Sequence, residues 1–393
     1  MSVATPAAVR SEPMRSEPIH RRSLDFLLAP IRPLLADDGI SEIMVNGHDD
    51  VRIERGGRIE RTDYRFKSHD ELFAAVRNMA QYVGRRVTAE TNRFDARLPD
   101  GSRVHVVLPP ASRQGICVAI RKFLPLGLSL DELVRLGSMT DEVREFISIC
   151  VAAEKNILVS GGTGSGKTTL LNVLSSLIPG GQRVLVLEDS SELQLQQEHV
   201  LYFETRAADR HGRGGCTIRD LFHSSLRMRP DRIVVGECRG GEAMDLIQAM
   251  TSGHGGSMTT LHATAPGDAL NRLETMALMS GVDMPLRALR AQVASAIDVV
   301  VQVGRLHDGA RKIVAVSEAA GLDDEGRYRL VDIYHYVLTG RTAEGAPEGE
   351  LTRTRTPPGF WAEVRLKGLA EMARLTRDLF ESGAGGATSS GGG

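Results

Sequence analysis

The stretch Ser160–Asn172, SGGTGSGKTTLLN, constrains this chain more than any other. An apolar run, NILVS, precedes it, and TTLLNVLSSLI follows with apolar residues at helical spacing. Gly161–Thr168 match the phosphate-loop pattern G-x-x-x-x-G-K-[S/T] throughout. Glycines at these positions let backbone N–H groups approach phosphate oxygens with no Cβ in the way. Lys167 is then expected at the β- and γ-phosphates, and the Thr168 hydroxyl on Mg²⁺. Gly161, Gly162, Thr163, Gly164, Ser165, Gly166, Lys167, Thr168 and Thr169 form the expected nucleotide-binding segment, with ATP and Mg²⁺ as its ligands. The helix after the loop offers its N-terminus to the anion.

Around this loop strands and helices alternate. RVLVLED, RIVVGE, SMTTLH and IDVVVQVGRL read as strands, and IRDLFHSSLRM, GEAMDLIQAMTS, GDALNRLETMALM and LRALRAQVASA as helices. Continuous apolar strands between helices indicate a parallel sheet covered on both faces. The expected fold is α/β: a P-loop NTPase domain over 151–345, preceded by a smaller α+β domain over 23–125. Residues 126–150 read as a linker with helices, and 346–381 as a C-terminal segment. The Pro- and Arg-rich lead-in 1–22 and the Gly/Ser tail 382–393 have too little to bury to pack.

Composition narrows the partners. With 48 basic and 50 acidic residues the net charge is −2, so no general basic field calls for nucleic acid. Ten Phe, six Tyr and one Trp offer little for stacking on single strands. Cys117, Cys150, Cys216 and Cys238 show no C-x-x-C spacing, so reduced thiols are expected rather than a zinc site or disulfides. No apolar opening run suggests a signal peptide, and no run reaches the length of a membrane span. A cytoplasmic protein, peripheral to any membrane it serves, is expected.

A phosphate loop needs a carboxylate to hold metal or activate water. Glu188–Asp189 end one expected strand and Glu237 ends another, and ligands of α/β sheets bind beyond strand carboxyl ends. Glu237 is the expected group that orients water, with Glu188 on Mg²⁺ or its waters; the sequence leaves these roles exchangeable. Glu192 is a further carboxylate nearby. In SGHGGSMTTLHAT, His254 and His262 are candidates to meet a phosphate oxygen, His262 because it ends a strand.

Four blocks in this order resemble the secretion ATPase superfamily that powers type II secretion, type IV pili and type IV secretion. They are the Walker A loop, an Asp box (VLEDSSELQL), a Gly-Glu Walker B (RMRPDRIVVGECRGGEA) and a His box (GHGGSMTTLHAT). LLADDGISEIMVNGHDDVRIER, RFDARLPDGSRVHVVLPPAS and SSLRMRPDRIVVGECRGGEAMDLIQAMTSGHGGSMTTLHA are similar to the CpaF-type branch, the ATPase of tight-adherence (Tad/Flp) pili. The tetracysteine insertion of the type II relatives is missing between these blocks, and the long N-terminal region of some Tad ATPases is not expected ahead of the first domain. The resemblance implies a RecA-like core, a homohexamer and inner-membrane platform proteins as partners. It implies that arginines of the first domain, here Arg103 and Arg121, reach the terminal phosphate. Arg206, Arg227 and Arg239 are further candidates between subunits. A type IV secretion ATPase exporting protein or DNA, and a nucleotide-gated scaffold that does not hydrolyse, are the alternatives to a pilus motor.

Overall fold

The computed structural model describes residues 23–24, 26–88, 92–123, 128–206, 208, 212–341 and 347–382. The lead-in 1–22, the tail beyond Ser382 and most of the expected hinge near 124–128 lie outside the described residues. The chain divides between Pro125 and Leu126 into two compact units.

The first unit contains α1 (Arg32–Ala36), β1 (Ile40–Asn46), β2 (Val51–Arg55), β3 (Arg58–Arg61), α2 (His69–Tyr82), β4 (Arg93–Arg97), β5 (Arg103–Val107) and β6 (Cys117–Arg121). Its strands form one sheet in the order β3-β2-β1-β6-β5-β4. Every pairing in that sheet is antiparallel. The alternation of side chains sets its two faces: Val104 and Val106 of β5 are buried, whereas Arg103 and His105 are not. Ser68 caps α2 by accepting the Glu71 N–H at 3.2 Å. Leu72, Ala75, Val76, Met79 and Ala80 of α2 then fall on one face and are buried. They share a core with Ile43, Phe94, Val104 and Ile120 from the sheet.

The second unit runs through α3 (Leu130–Arg135), α4 (Asp141–Ala152), β7 (Ile157–Gly161), α5 (Lys167–Ser175), β8 (Val184–Glu188), β9 (Val200–Glu204), α6 (Ile218–Ser225) and β10 (Arg232–Val235). It continues with α7 (Glu242–Thr251), β11 (Met258–His262), α8 (Pro266–Leu278), α9 (Leu286–Ala296), β12 (Val299–Arg305), β13 (Arg311–Leu322), β14 (Tyr328–Arg341), β15 (Pro347–Arg353), α10 (Trp361–Leu366) and α11 (Arg377–Glu381). The strand order is β15-β14-β13-β12-β7-β11-β10-β8-β9. From β12 to β9 neighbouring strands are parallel. From β12 to β15 they are antiparallel. The strands expected in the parallel sheet, β7, β8, β10, β11 and β12, are parallel as expected, and β13–β15 extend that sheet in antiparallel pairing, so the whole sheet is mixed. The physical reason is connection length: short turns join β12, β13 and β14, and a short turn cannot return a strand in the same direction.

The parallel strands are apolar because both faces are covered. Ile157 and Val159 of β7 point into a core with α4 and α5, and Leu158 points into another with α7, α8 and α9. The residues after β15 complete the first of these cores. Phe380 stacks on Trp361 at 4.7 Å and on Phe146 of α4 at 5.7 Å between ring centroids. The Glu145 carboxylate accepts N–H groups from Arg374, Leu375 and Thr376 and the Thr376 hydroxyl, at 2.8–2.9 Å. Residues 128–150 and 347–382 are thus built into the unit that carries the phosphate loop.

This packing is testable. Phe380 is 1% exposed and Leu366 is 88% exposed. Phe380→Ala is expected to destabilise the protein by about 3–5 kcal/mol, and Leu366→Ala by no more than about 0.5 kcal/mol. Urea unfolding of both variants measures this; equal, small effects would contradict the packing.

Candidate functional site

The loop after β7, the end of β8, the residues after β10 and the end of β11 lie on one edge of the sheet. His262 pairs with Gly161 in the register of β11 and β7. Val235 pairs with Leu187, which sets Gly236–Glu237 beside Glu188. A twisted parallel sheet makes this edge by construction, since all its strands end there.

Close backbone approach dictates the glycines. A Cβ on Gly161 would lie 2.4 Å from the Val303 carbonyl oxygen and 2.6 Å from Ser165 Oγ. Gly164 and Gly166 hold φ of 69° and 95°, a region costly for other residues. A Cβ on Gly236 would lie 2.9 Å from Glu188 Cγ, so the Gly of the Gly-Glu pair is there to let β10 end against the Glu188 side chain.

Inside the loop the Gly162 carbonyl oxygen gathers donors. It accepts Lys167 Nζ at 2.9 Å, Ser165 Oγ at 2.9 Å and, at 3.4 Å, the Ser165 N–H. Lys167 is buried and its Nζ also stands 3.3 Å from His262 Nδ1. His262 Nε2 lies 2.8 Å from Glu237 Oε1. Arg239 grips the other Glu237 oxygen through Nε at 2.8 Å and approaches Asp189 at 3.5 Å. A chain of polar contacts therefore runs from the loop through Lys167, His262 and Glu237 to Arg239. Burial and the Lys167 ammonium push the His262 pKa below the ordinary histidine range, against the pull of Glu237. With Lys167 donating to Nδ1, the network assigns the proton to Nε2, facing Glu237.

Glu188 is 3% exposed. Its Oε1 accepts the N–H groups of Glu192 at 2.8 Å and Leu193 at 3.0 Å. Burial nevertheless raises its pKa to about 7, helped by the nearby carboxylates of Glu192 and Glu204. Asn172 of α5 braces the same segment by accepting the Gln194 N–H at 2.7 Å. Behind the loop, Ser160 donates to the buried Gln302 side chain, whose Nε2 holds the Ala263 carbonyl at 3.1 Å.

The fold brings Lys167, Glu188, Glu237, His262 and Arg239 together. It sets His254 apart: His254 precedes β11, and its carbonyl accepts the hydroxyl of Ser257, whose N–H bonds Asn156 just before β7. His254 therefore stands at the opposite, amino-end edge of the sheet, before the Gly255–Gly256 turn that leads into β11. Arg227 is at that edge too, beside Met228, whose carbonyl holds Arg183 before β8 at 2.8 Å. Arg206 follows β9 in a bridge to Cys216. In the first unit Arg103 lies opposite Arg121 in the register, and Arg97 opposite Arg103. Sequence reading missed Arg97, Asn172 and Gln302; only the strand register or a long-range contact reveals them.

The residues present suit a nucleoside triphosphate. The cradle is glycine-lined, its lysine turns inward, and a carbonyl oxygen already collects the donors that a phosphate oxygen would take. Among the described residues no group of three or more His, Cys, Asp and Glu could hold a metal ion.

Residues 27–341 match the family described as Type II/IV secretion system protein. The chain belongs to the type II/IV secretion ATPase family. It is 33% identical over 331 residues to a putative conjugal transfer protein of Mycobacterium tuberculosis, covering 83% of this chain and 93% of the relative. It is 36% identical to the type IV secretion system protein PtlH of Bordetella pertussis, covering 76% and 95%. It is 34% identical to VirB11 of Brucella suis, covering 75% and 89%. The fold is similar to that of DotB of Legionella pneumophila, with a TM-score of 0.52, 20% identity and coverage of 81% and 84%. The pilus retraction motor PilT, solved with ADP, gives 0.51, 20% identity and coverage of 90% and 89%. Among the described residues no helix is long and apolar enough to cross a membrane.

The raised Glu188 pKa has a sign. An unfolded carboxyl titrates near 4.5 and the folded one near 7, so stability is fully present below about 4.5 and falls as pH rises through 7. Glu188→Gln keeps the acceptor for both N–H groups and removes the charge. Without nucleotide or metal it is expected to be more stable than wild type at pH 8, by on the order of 1–3 kcal/mol, and equal to it near pH 4.5. Thermal melts at both pH values test this; no gain at pH 8 would contradict it.

Proposed function

We propose that the chain is the ATP-hydrolysing subunit of a homohexameric motor at the cytoplasmic face of an inner-membrane platform. The machine we assign to it is a pilus of the Tad/Flp type. The Lys167–His262–Glu237–Arg239 chain at the strand ends carries the hydrolytic reading. The resemblance of the first domain and the Walker B and His boxes to the CpaF-type branch supports the pilus reading.

In this account Gly161–Thr169 bind the triphosphate, and Lys167 exchanges its bond to the Gly162 carbonyl for phosphate oxygens. Thr168 and Glu188 would hold Mg²⁺, which when bound would supply charge neutralisation to the triphosphate. A cation beside Glu188 would draw that carboxyl into its charged form. Glu237 accepts a proton from the attacking water, while His262 and Arg239 fix its two oxygens. Arg103 and Arg121 meet the charge developing on the terminal phosphate. Rotation of the first unit about the segment near 124–128 would convert this contact into work.

A second reading, export of protein or DNA by a type IV secretion machine, is favoured by the names of the relatives PtlH and VirB11 and of the conjugal transfer protein. The near-neutral charge offers no support for direct binding of DNA.

Lys167→Ala is expected to reduce phosphate release from Mg-ATP to background while the melting temperature stays close to wild type. In the host, the same substitution is expected to abolish surface pili. Wild-type turnover in the variant would overturn the motor assignment, and absence of turnover in the wild type would leave a nucleotide-gated scaffold. Normal pili with loss of an exported protein or DNA would transfer the assignment to the second reading.

A further inference from the structure

The hairpin joining β12 to β13 runs alongside the phosphate loop, although about 140 residues separate them in sequence. Arg305 ends β12, Arg311 opens β13, and the two are paired in the register. Arg311 Nε donates to the Gly164 carbonyl at 3.0 Å. Its aliphatic stem covers the loop as well: a Cβ on Gly166 would lie 3.4 Å from Arg311 Cδ. The Arg305 guanidinium is close by, 3.6 Å from where a Gly164 Cβ would stand. The backbone of Arg311 is held from the other side. Ser138 Oγ donates to the Arg311 carbonyl at 2.8 Å, and the Ile313 N–H donates to the Ser138 carbonyl at 2.8 Å.

A planar trans peptide points its C=O and its N–H in opposite directions. Arg311 draws the Gly164 carbonyl outward, which turns the Ser165 N–H toward the interior of the loop. That N–H, Ser165 Oγ and Lys167 Nζ converge on one oxygen, the Gly162 carbonyl. Gly164 holds φ of 69° and has no Cβ to lock this peptide by sterics, so the Arg311 bond outside and the longer Ser165 N–H bond inside hold its direction between them.

We infer that Arg311 is a positioning residue for the phosphates of the nucleotide, acting through the Gly164–Ser165 peptide rather than by touching the reacting atoms. The inference rests on the nucleotide-binding reading above. It adds the β12–β13 hairpin to the site and makes it the outer wall of the phosphate loop.

The test uses the full chain and four proteins. Arg311→Met keeps the stem and loses the donor. Arg311→Lys keeps the charge but has no N–H at the Nε position. Lys312→Met removes a neighbouring cation whose ammonium faces Tyr336, 5.7 Å from the ring centroid. Wild type completes the set. ADP affinity is measured in a metal chelator with a fluorescent ADP analogue, steady-state kcat and KM with Mg-ATP, and the melting temperature alongside. Loss of the bond is expected to weaken ADP binding and raise KM by roughly fivefold to tenfold in Arg311→Met, the scale of one hydrogen bond. Arg311→Lys should recover only part of this, Lys312→Met should match wild type, and all melting temperatures should agree closely. Wild-type ADP affinity and KM in Arg311→Met overturn the inference, as does a loss of affinity in Lys312→Met equal to that in Arg311→Met. A wild-type protein that binds no ADP removes the nucleotide reading itself, so the two failures are distinguishable.

Discussion

The convergence of Lys167, the Ser165 hydroxyl and the Ser165 N–H on the Gly162 carbonyl oxygen is the contact on which the rest of the second unit is organised. A backbone can fold back this tightly only where side chains are absent, which accounts for Gly161, Gly164 and Gly166. A buried ammonium needs acceptors around it, which accounts for His262 at 3.3 Å. His262 in turn faces Glu237, and Glu237 faces Arg239. Each group in the row stands beside the next, and the Lys167 and Ser165 donors at its head suit an anion.

The parallel part of the sheet delivers these groups to one place. Its inner strands β7, β8 and β10 are buried on both faces, so only their ends are available for chemistry, and the carboxyl ends share an edge. The same rule separates what the sequence holds close together. His254 and His262 lie at opposite ends of β11, so the His box contributes one histidine to the site and one to the amino-end edge. Glu188 and the Gly236–Glu237 pair, far apart in sequence, come to adjacent strand ends because β8 and β10 are neighbours.

Local signals were readable and long-range ones were not. The phosphate loop, its flanking strand and helix, and the carboxylates at strand ends are properties of short windows, and Arg239 follows Glu237 by two residues. The first-domain strands alternate cleanly, as in Val104 and Val106 against Arg103 and His105. The β13–β14 pair did not announce itself, because register shifts near Val316 and between Ala319 and Leu322 break the period of two. Arg311 could not be read as part of the site at all: its sequence neighbours are an ordinary hairpin turn, and its partner Gly164 lies 147 residues away. The contribution of residues 347–382 to the core depends on the aromatic contacts of Phe380 with Phe146, which no window contains.

The central claim is that Glu237, fixed between His262 and Arg239, turns a phosphate cradle into a hydrolytic site. Glu237→Gln keeps the size and the hydrogen-bonding reach and removes the base. Affinity for a non-hydrolysable ATP analogue and the single-turnover rate of ATP hydrolysis, measured on the same preparation, separate binding from chemistry. The account expects affinity within about threefold of wild type and a rate lower by on the order of 10² or more. Hydrolysis by the variant at the wild-type rate would contradict it and move the base to Glu188.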